Sequence, residues 1–280
     1  RLGGMVFGTI ERERISLNEE TIWSFEAKPV TAYSKTQYLQ AAKRKLFFEG
    51  KYLEADKLKQ KDVEIPEDAS LIKEKIDGML RGRSIYKPLA DLYLHFGSSV
   101  SKPSDYKRDL NLENAITSVT YKIDDVTYTR EFFASYPDQA IIIRITADQP
   151  GKISFSSKMT RRVDVKDDMY RYDAELGAKV ASIKTPPPPT IKILGNDHFS
   201  FSGTADPKGT SYVSHFKLKA DGGQVKSIPG GFEVTNANTT TIYITAATDF
   251  NHKNPDKIAK KQLEKVASFS YENLKKRHIS

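Results

Sequence analysis

The five histidines are the first residues to consider for chemistry, because histidine is the commonest metal ligand and changes its charge near neutral pH. They are His95, His198, His215, His252 and His278. No two of them form the H-x-H or H-E-x-x-H spacing that places metal ligands on one face of a strand or helix. The chain also contains no cysteine. The sequence therefore predicts no metal site and no disulfide.

Motifs for cofactor binding and nucleophilic catalysis are missing as well. The sequence has no P-loop, no G-x-G-x-x-G after a predicted strand and no G-x-S-x-G elbow, so we expect no cofactor. A carboxylate pair for glycoside hydrolysis is compatible with 36 Asp+Glu, but no spacing locates one. Asp124-Asp125 and Asp167-Asp168 are predicted to be turn residues, because Asp side chains hydrogen-bond to nearby backbone.

The single tryptophan lies in a segment whose composition is typical of a sugar-contacting edge. Residues 18–23 read Asn-Glu-Glu-Thr-Ile-Trp, which combines an amide, two carboxylates and an indole. Aromatic rings can stack on the C–H faces of sugars. Tryptophan is more often a largely buried core residue, so both interpretations stay open. We name Asn18, Glu19 and Trp23 as candidate substrate-rim residues on a loop that runs to Pro29.

Two short strands must position this loop. The first is predicted around Met5-Val6-Phe7, and the second has Ile10, Ile15 and Leu17 as its apolar positions. A turn near Gly8 to Arg12 joins them.

A helical segment follows this loop, at about residues 34–80. Ser34 and Gln37 form a capping-box pattern, and apolar residues recur at helical spacing up to Phe47. Gly50 is typical of the residue that follows a helix. The pattern therefore predicts a first helix that ends just before Gly50.

Two further short helices are predicted in the same segment. One runs from Tyr52 to Gln60 with Leu53, Ala55 and Leu58 facing inward, and another follows Asp68. These helices are too small to enclose a core by themselves. We therefore interpret them as an insertion in a β-scaffold.

From Lys87 onward the pattern is almost entirely that of strands, separated by Gly, Pro, Asn and Asp turns. Strands repeating at roughly 8–12 residues favour a sandwich or barrel over βαβ units. After Phe250 the pattern becomes helical, with one helix near Pro255 and another near Tyr271. The predicted strands are Leu92–Phe96, Tyr106–Leu112, Ile116–Ile123, Val126–Tyr136, Ala140–Ala147, Lys152–Met159, Lys192–Leu194, His198–Ser202, Tyr212–Ala220, Gln224–Ser227, Gly231–Thr235 and Thr240–Ala247.

Composition excludes several classes of function. The net charge of +8 permits nucleic-acid binding, but the basic residues are interleaved with acidic ones as on solvated helix faces, and no nucleic-acid motif accompanies them. We expect no nucleic-acid partner. No apolar run reaches the length of a membrane span.

Several motifs, in order, resemble the N-terminal region of glycoside hydrolase family 95, the inverting α-L-fucosidases and their α-L-galactosidase relatives. RLGGMVFG and ERERISLNEETIWS open the chain, LFFEGKYLEADKL follows in the helical segment, and YKPLADLYLHF leads into the long strand block beginning YKRDLNLENAITSVTY. AATDF and YENLKKRHIS close the resemblance. Trp-Ser is followed here by Phe-Glu-Ala-Lys-Pro rather than the usual Gly-Gly-Pro, Ala90 stands where Gly is common, and His95 where Asp is common.

The resemblance implies a mainly β fold: a two-sheet super-sandwich over residues 1–250 with a small helical insertion, then C-terminal linker helices over residues 251–280. It implies an (α/α)6 catalytic barrel downstream of Ser280, with a Glu as general acid and an Asp as base, so we assign no catalytic residue in this chain. The sandwich would pack against its own C-terminal domain, which would bind the glycan substrate. Asn18, Glu19 and Trp23 would border that pocket. Glycan-degrading relatives are commonly exported, which favours a periplasmic or extracellular location.

Two alternatives stay open. The chain is compatible with a stand-alone carbohydrate-binding β-sandwich that uses Trp23 and exposed tyrosines as stacking platforms. It is also compatible with the N-terminal domain of an α-glucoside phosphorylase, because the neighbouring phosphorylase families share a similar sandwich.

Overall fold

The computed structural model describes residues 1–26, 31–63, 83–97, 101–161, 188–205 and 209–280. Internal contacts divide the chain into two units. The first comprises Arg1–Ser24, Tyr86–Val165 and Lys184–Ser280, and the second Phe25–Ile85 and Lys166–Ile183. The helix predicted after Asp68 and the predicted Asp167-Asp168 turn lie outside the described residues.

The first unit is built from two antiparallel sheets, and β3 and β4 form a separate two-stranded ribbon. The strands are β1 (Leu2–Val6), β2 (Arg12–Glu19), β3 (Trp23–Glu26), β4 (Arg83–Tyr86), β5 (Ala90–His95), β6 (Ser104–Asn111), β7 (Ile116–Ile123), β8 (Val126–Ser135), β9 (Ala140–Ala147), β10 (Ile153–Thr160), β11 (Thr190–Gly195), β12 (His198–Thr204), β13 (Ser211–Asp221), β14 (Gln224–Ile228), β15 (Gly231–Ala237) and β16 (Thr239–Thr248). The six-stranded sheet has the order β1-β2-β5-β10-β15-β14, and the eight-stranded sheet β11-β12-β13-β16-β9-β8-β7-β6. The predicted mainly β, two-sheet fold is confirmed.

The main core lies between the inner faces of the two sheets. In β2, buried and partly exposed positions alternate, because successive side chains of a strand point to opposite faces. Ile15 and Leu17 enter the core from the six-stranded sheet, and Phe199 and Phe216 enter it from the eight-stranded sheet. The hydrophobic alternation of the sequence thus decides which face of each strand is buried.

Two helices cover the outer face of the eight-stranded sheet and create a second core. They are α3 (Pro255–Ser268) and α4 (Tyr271–Ile279), so the predicted C-terminal helices are confirmed. Ile142 of β9 packs with the helix residues Leu263, Val266 and Leu274 in this second core. Strand β9 is therefore buried on both sides, as its run of isoleucines predicts.

Polar contacts fix α4 on the sheet. Asp138 accepts hydrogen bonds from Arg277 Nη2 at 2.7 Å and from Ser135 Oγ at 2.8 Å. Lys275 Nζ donates to Glu131 Oε1 at 2.7 Å. Glu131 lies in the middle of β8 and Asp138 lies in the turn after that strand, so these bonds fix α4 along the second half of β8 and the turn that follows it.

A buried ion pair organises the turn between β1 and β2. Glu13 and Arg130 are both 0% exposed, with Arg130 Nη1 3.7 Å from Glu13 Oε2. Glu13 accepts from the backbone N–H of Gly8 at 2.8 Å. Arg130 donates to the carbonyls of Thr9 at 2.8 Å and Ile10 at 2.6 Å. The two charges therefore satisfy turn donors and acceptors that would otherwise be unpaired.

The second unit contains helices α1 (Thr31–Phe48) and α2 (Tyr52–Lys57) and a 3₁₀ turn at Gln60–Asp62. Gly50 ends α1 with φ +74, and Lys51 N donates to Leu46 O at 2.9 Å, which is a Schellman arrangement. The predicted role of Gly50 is confirmed.

Two predictions in this unit are wrong. Helix α1 begins at Thr31, three residues before the predicted cap at Ser34, because a short capping pattern inside a helix does not start a new one. Leu53 is 77% exposed, whereas Ala55 is buried. The helix α2 has only six residues, which is too short to bury a full apolar stripe.

Within the described residues, no helix combines the length and apolarity needed to cross a membrane.

Candidate functional site

The candidate rim residues lie on two strands that a short turn joins in the chain. Asn18 and Glu19 are the last two residues of β2, and Trp23 is the first residue of β3. The predicted loop that carries Asn18, Glu19 and Trp23 and runs to Pro29 is therefore wrong over the described residues, because Asn18 and Glu19 end β2 and the chain re-enters a strand after only three residues; residues 27–30 lie outside the described residues.

Glu19 points inward and supports the turn. It is buried, and its Oε2 accepts from Thr21 N at 2.9 Å and from Thr21 Oγ1 at 2.6 Å. Thr21 in turn contacts Thr248 Oγ1 of β16. Glu19 therefore positions the turn that carries Trp23.

Asn18 lies on the opposite face of β2 from Glu19, since neighbouring strand residues alternate. It is partly exposed and pairs in register with Gly3. A hypothetical Cβ on Gly3 would meet no atom within 4 Å, so the outer sheet surface beside Asn18 is open. The structure thus does not bring Asn18 and Glu19 together on one surface.

Trp23 is an exposed aromatic residue rather than a core residue. It is 36% exposed, as is Tyr86, and the two rings form an edge-to-face pair with centroids 5.5 Å apart. Trp23 Nε1 donates to Glu20 O at 2.7 Å, and Thr210 N donates to Trp23 O at 3.0 Å. We call Trp23, Tyr86 and Thr210 the Trp23 edge.

The Trp23 edge is suited to contact an apolar surface rather than to move protons. The indole N–H is already used within the turn, so the ring offers its exposed C–H and π surface to a ligand. Burial raises the pKa of the Tyr86 hydroxyl above its ordinary value, with the nearby Glu19 adding to this effect. Tyr86 is therefore a neutral donor at physiological pH. Stacking and hydrogen bonding are the contacts this edge can make.

A second polar cluster lies under α3 and was not identified from the sequence. His215 of β13 is 1% exposed; its Nε2 lies 3.1 Å from Asp256 Oδ1, and its Nδ1 lies 3.0 Å from His198 Nε2. The three side chains form a continuous hydrogen-bonded chain from the first turn of α3 to β12.

Burial and neighbouring charges affect both histidines. The pKa of His198 is lowered to about 4, mainly by burial and further by the positive charge of His215 when protonated and by the nearby Lys217. Burial also lowers the pKa of His215, although hydrogen bonding to Asp256 opposes this shift. Both rings are therefore neutral at pH 7.

A cleft of about 280 Å³ adjoins this cluster. One side comes from β12 and β13, and the other from a single stripe of α3. The lining residues are His198, Lys217, Lys219, Lys260, Leu263, Glu264, Ala267 and Ser268. We call this the histidine cleft. In the described part of the chain, no group of three or more His, Asp or Glu has the arrangement of a metal site.

The sequence contains a signal for the histidine pair, but the signal is incomplete. His198 and His215 both lie on the outer face of neighbouring strands, where Ser200 pairs with His215 and His198 with Lys217. Alternation places each histidine on an outer face. Only the strand register brings them within hydrogen-bonding distance, and a hydrophobic pattern does not specify which outward residues are neighbours.

The sequence was compared with protein-family profiles. Residues 1–253 match the profile described as glycosyl hydrolase family 65, N-terminal domain. The chain belongs to this family. The predicted relationship to N-terminal domains of glycoside hydrolases is thereby confirmed, and the match includes both sheets.

Curated relatives of this glycosyl hydrolase N-terminal domain agree with the family 95 resemblance. The chain is 28% identical to "Alpha-L-fucosidase 2" of Arabidopsis thaliana over 300 aligned positions, which cover 100% of this chain and 32% of the relative. It is 22% identical to "Probable alpha-fucosidase A" of Aspergillus oryzae, covering 90% of this chain and 30% of the relative. The chain thus spans about a third of the length of each of these relatives.

Among solved structures, one similar chain is named "Putative kojibiose phosphorylase from human microbiome". The superposition covers 71% of this chain and 28% of the other, with 13% sequence identity and a TM-score of 0.48.

Proposed function

We propose that this chain is the non-catalytic N-terminal domain of an inverting exo-glycoside hydrolase that removes α-L-fucosyl residues from glycans. The observation that carries the proposal is the alignment of the whole chain with one third of an α-L-fucosidase at 28% identity. α-L-Galactosyl residues are the second substrate class, because the family 95 resemblance includes α-L-galactosidases. The acid and base would belong to a downstream catalytic domain.

In this proposal the Trp23 edge faces the catalytic domain or the sugar in its pocket. Trp23 and Tyr86 are exposed aromatic residues next to each other, and aromatic residues are enriched at the energetically important positions of interfaces. Glu19 supports the turn rather than contacting the sugar, because its carboxylate is buried and bonded to Thr21. Asn18 has an open surface of its own on the outer sheet face.

The specificity is tested on the full-length enzyme with aryl α-L-fucoside, α-L-galactoside and α-D-glucoside substrates, each with and without inorganic phosphate. We expect the fucoside to be cleaved fastest and phosphate to have no effect on its rate. Glucoside cleavage that requires phosphate would contradict the proposal and favour the phosphorylase alternative.

A second candidate function is a carbohydrate-binding module, and the exposed Trp23–Tyr86 pair is the observation that favours it. Aromatic rings that stack on sugars contribute affinity without catalytic groups. The test is glycan-array binding by the 280-residue chain alone. Binding that Trp23→Ala abolishes and Tyr136→Ala preserves would support this function, because Tyr136 is another exposed aromatic residue outside the Trp23 edge. The scaffold proposal predicts no measurable binding by this chain.

A further inference from the structure

The histidine cleft keeps a net positive charge. Lys217 Nζ is held 3.2 Å from Asp197 Oδ2, and Lys219 Nζ donates to the carbonyl of Ala267. Among the described residues, Lys260 has no hydrogen-bond or ion-pair partner. Glu264 is the one carboxylate of the lining. Two lysines are therefore already oriented, and the third is available to a ligand.

The hydrogen-bonded chain assigns the tautomers of both histidines. A carboxylate can only accept a hydrogen bond, so Asp256 requires the proton of His215 on Nε2. The neutral His215 then accepts at Nδ1, and His198 must donate from its Nε2. This leaves His198 Nδ1 with a free lone pair, and the lowered pKa of His198 keeps it so at neutral pH.

We propose that the histidine cleft binds hydrogen phosphate, with the lysine ammonium groups contacting its oxygens and its remaining P–OH group donating a hydrogen bond to His198 Nδ1. This inference goes beyond the proposed function and does not depend on it. A water molecule occupies about 30 Å³ of liquid, so a cleft of about 280 Å³ has room for a four-oxygen anion and several waters. Ammonium-to-phosphate hydrogen bonds are charge-assisted and hence strong.

The free acceptor makes the site selective among oxyanions. Hydrogen phosphate retains a proton in the neutral range, whereas sulfate has none to donate. A phosphate monoester loses its second proton with a pKa of about 6, so at pH 7.5 it resembles sulfate. His198 therefore favours inorganic phosphate over both competitors, and the lone pair would repel an anion that offers no proton.

The test is an NMR titration of the 280-residue chain at pH 7.5 that follows the imidazole C–H signals. The added anions are inorganic phosphate, sulfate and glucose 1-phosphate. The signal of His198 is assigned by its loss in His198→Gln. We expect phosphate to shift the His198 signal saturably, with an apparent Kd well below those of the other two anions. Lys260→Gln should weaken phosphate binding by about tenfold, the usual effect of losing one charged hydrogen bond.

The matched control is Lys261→Gln, because Lys261 is the next residue of α3, is exposed like Lys260 and does not line the cleft. It should bind phosphate as the parent chain does. The proposal is overturned if phosphate leaves the His198 signal unchanged, if Lys260→Gln and Lys261→Gln weaken binding equally, or if sulfate binds as tightly as phosphate. His198→Gln separates the two parts of the site, because it should remove the selectivity while the lysines still attract every anion weakly.

Discussion

The interaction between Arg130 and Glu13 shows how one buried ion pair can determine a local backbone conformation. Both side chains are fully buried, and burial raises the pKa of Glu13 although Arg130 and backbone N–H groups oppose the shift. A buried ion pair is weak evidence for net stability, since removing two charges from water is costly. Its consequence here is specific, because Glu13 and Arg130 together hydrogen-bond both sides of the turn after β1.

Replacing Arg130 by Met should destabilise the protein by about 3–5 kcal/mol, because a buried carboxylate is left unpaired. The loss should be greater at pH 8 than at pH 5. Without Arg130, the pKa of Glu13 in the folded state rises further above its value in the unfolded state. The folded variant is therefore most stable below the unfolded-state pKa of Glu13, and it loses stability as the pH rises through the folded-state pKa. Urea unfolding at both pH values measures this.

Arg12→Met serves as the control, because Arg12 is exposed and lies over the Tyr93 ring. Arg12→Met should lower the free energy of unfolding by at most about 1 kcal/mol, and by the same amount at pH 5 and pH 8. An Arg130→Met variant that is as stable as Arg12→Met would show that Glu13 does not need its partner.

His198 should remain neutral far below the usual pKa of histidine. Its pKa is lowered to about 4, so its folded value is below the unfolded one of about 6.5. The contribution of neutral His198 to the free energy of unfolding is therefore fully present above the unfolded-state pKa of His198. It is lost as the pH falls through the folded-state pKa of His198. An NMR pH titration should show a midpoint for His198 well below the ordinary histidine value of about 6.5. A midpoint at that ordinary value would contradict the described hydrogen-bonded chain.

At the scale of elements, alternation and turn chemistry in the sequence predict most of the strands. The β7–β8 hairpin illustrates this: Asp124-Asp125 joins Ile123 to Val126, and Asp124 has φ +51, a conformation that Asp tolerates. Such signals are local, and they specify the fold class without the strand order.

The features that sequence reasoning missed depend on non-local pairing. Arg130 has the alternation of a strand residue, but charged residues are rarely fully buried, so nothing local predicts its position in the core. The strand register joins His198 to His215, and helix α3 brings Asp256 to them. The sequence pattern predicts Trp23 on a loop, because the four residues of β3 are too few to produce a period. Sequence patterns therefore predicted the scaffold better than the polar clusters.

Helix α4 should detach selectively when its carboxylate anchor is removed. Burial raises the pKa of Asp138, but hydrogen bonds from Arg277 and Ser135 outweigh this effect, and the net shift is downward. The ionised anchor is thus present above the unfolded pKa of Asp and lost only as pH falls through the lower folded value. Asp138→Asn should cost about 1–3 kcal/mol.

Hydrogen–deuterium exchange measures this change by segment. Asp138→Asn should increase exchange in residues 271–279 and leave β9 and β16 protected. Asp125→Asn is the matched control, because Asp125 lies in an exposed turn. This substitution should leave the exchange of residues 271–279 and the protection of β9 and β16 unchanged. Equal loss of protection throughout the eight-stranded sheet would show that Asp138 stabilises the whole sheet instead.

At the scale of the whole molecule, the first unit has a complete sandwich core and an additional helical layer. The α3–α4 layer covers only one outer face, through the second core. The chain corresponds to about a third of the aligned fucosidases. In the proposed function, these sheets would provide a stable support for a downstream catalytic domain rather than a catalytic pocket of their own.

The most direct test compares the full-length enzyme with the 280-residue chain on an aryl α-L-fucoside, after circular dichroism has shown that the chain alone is folded. The account predicts that the full-length enzyme releases L-fucose and the folded chain releases none. Release of L-fucose by the chain alone would place catalytic carboxylates within these residues and contradict the account.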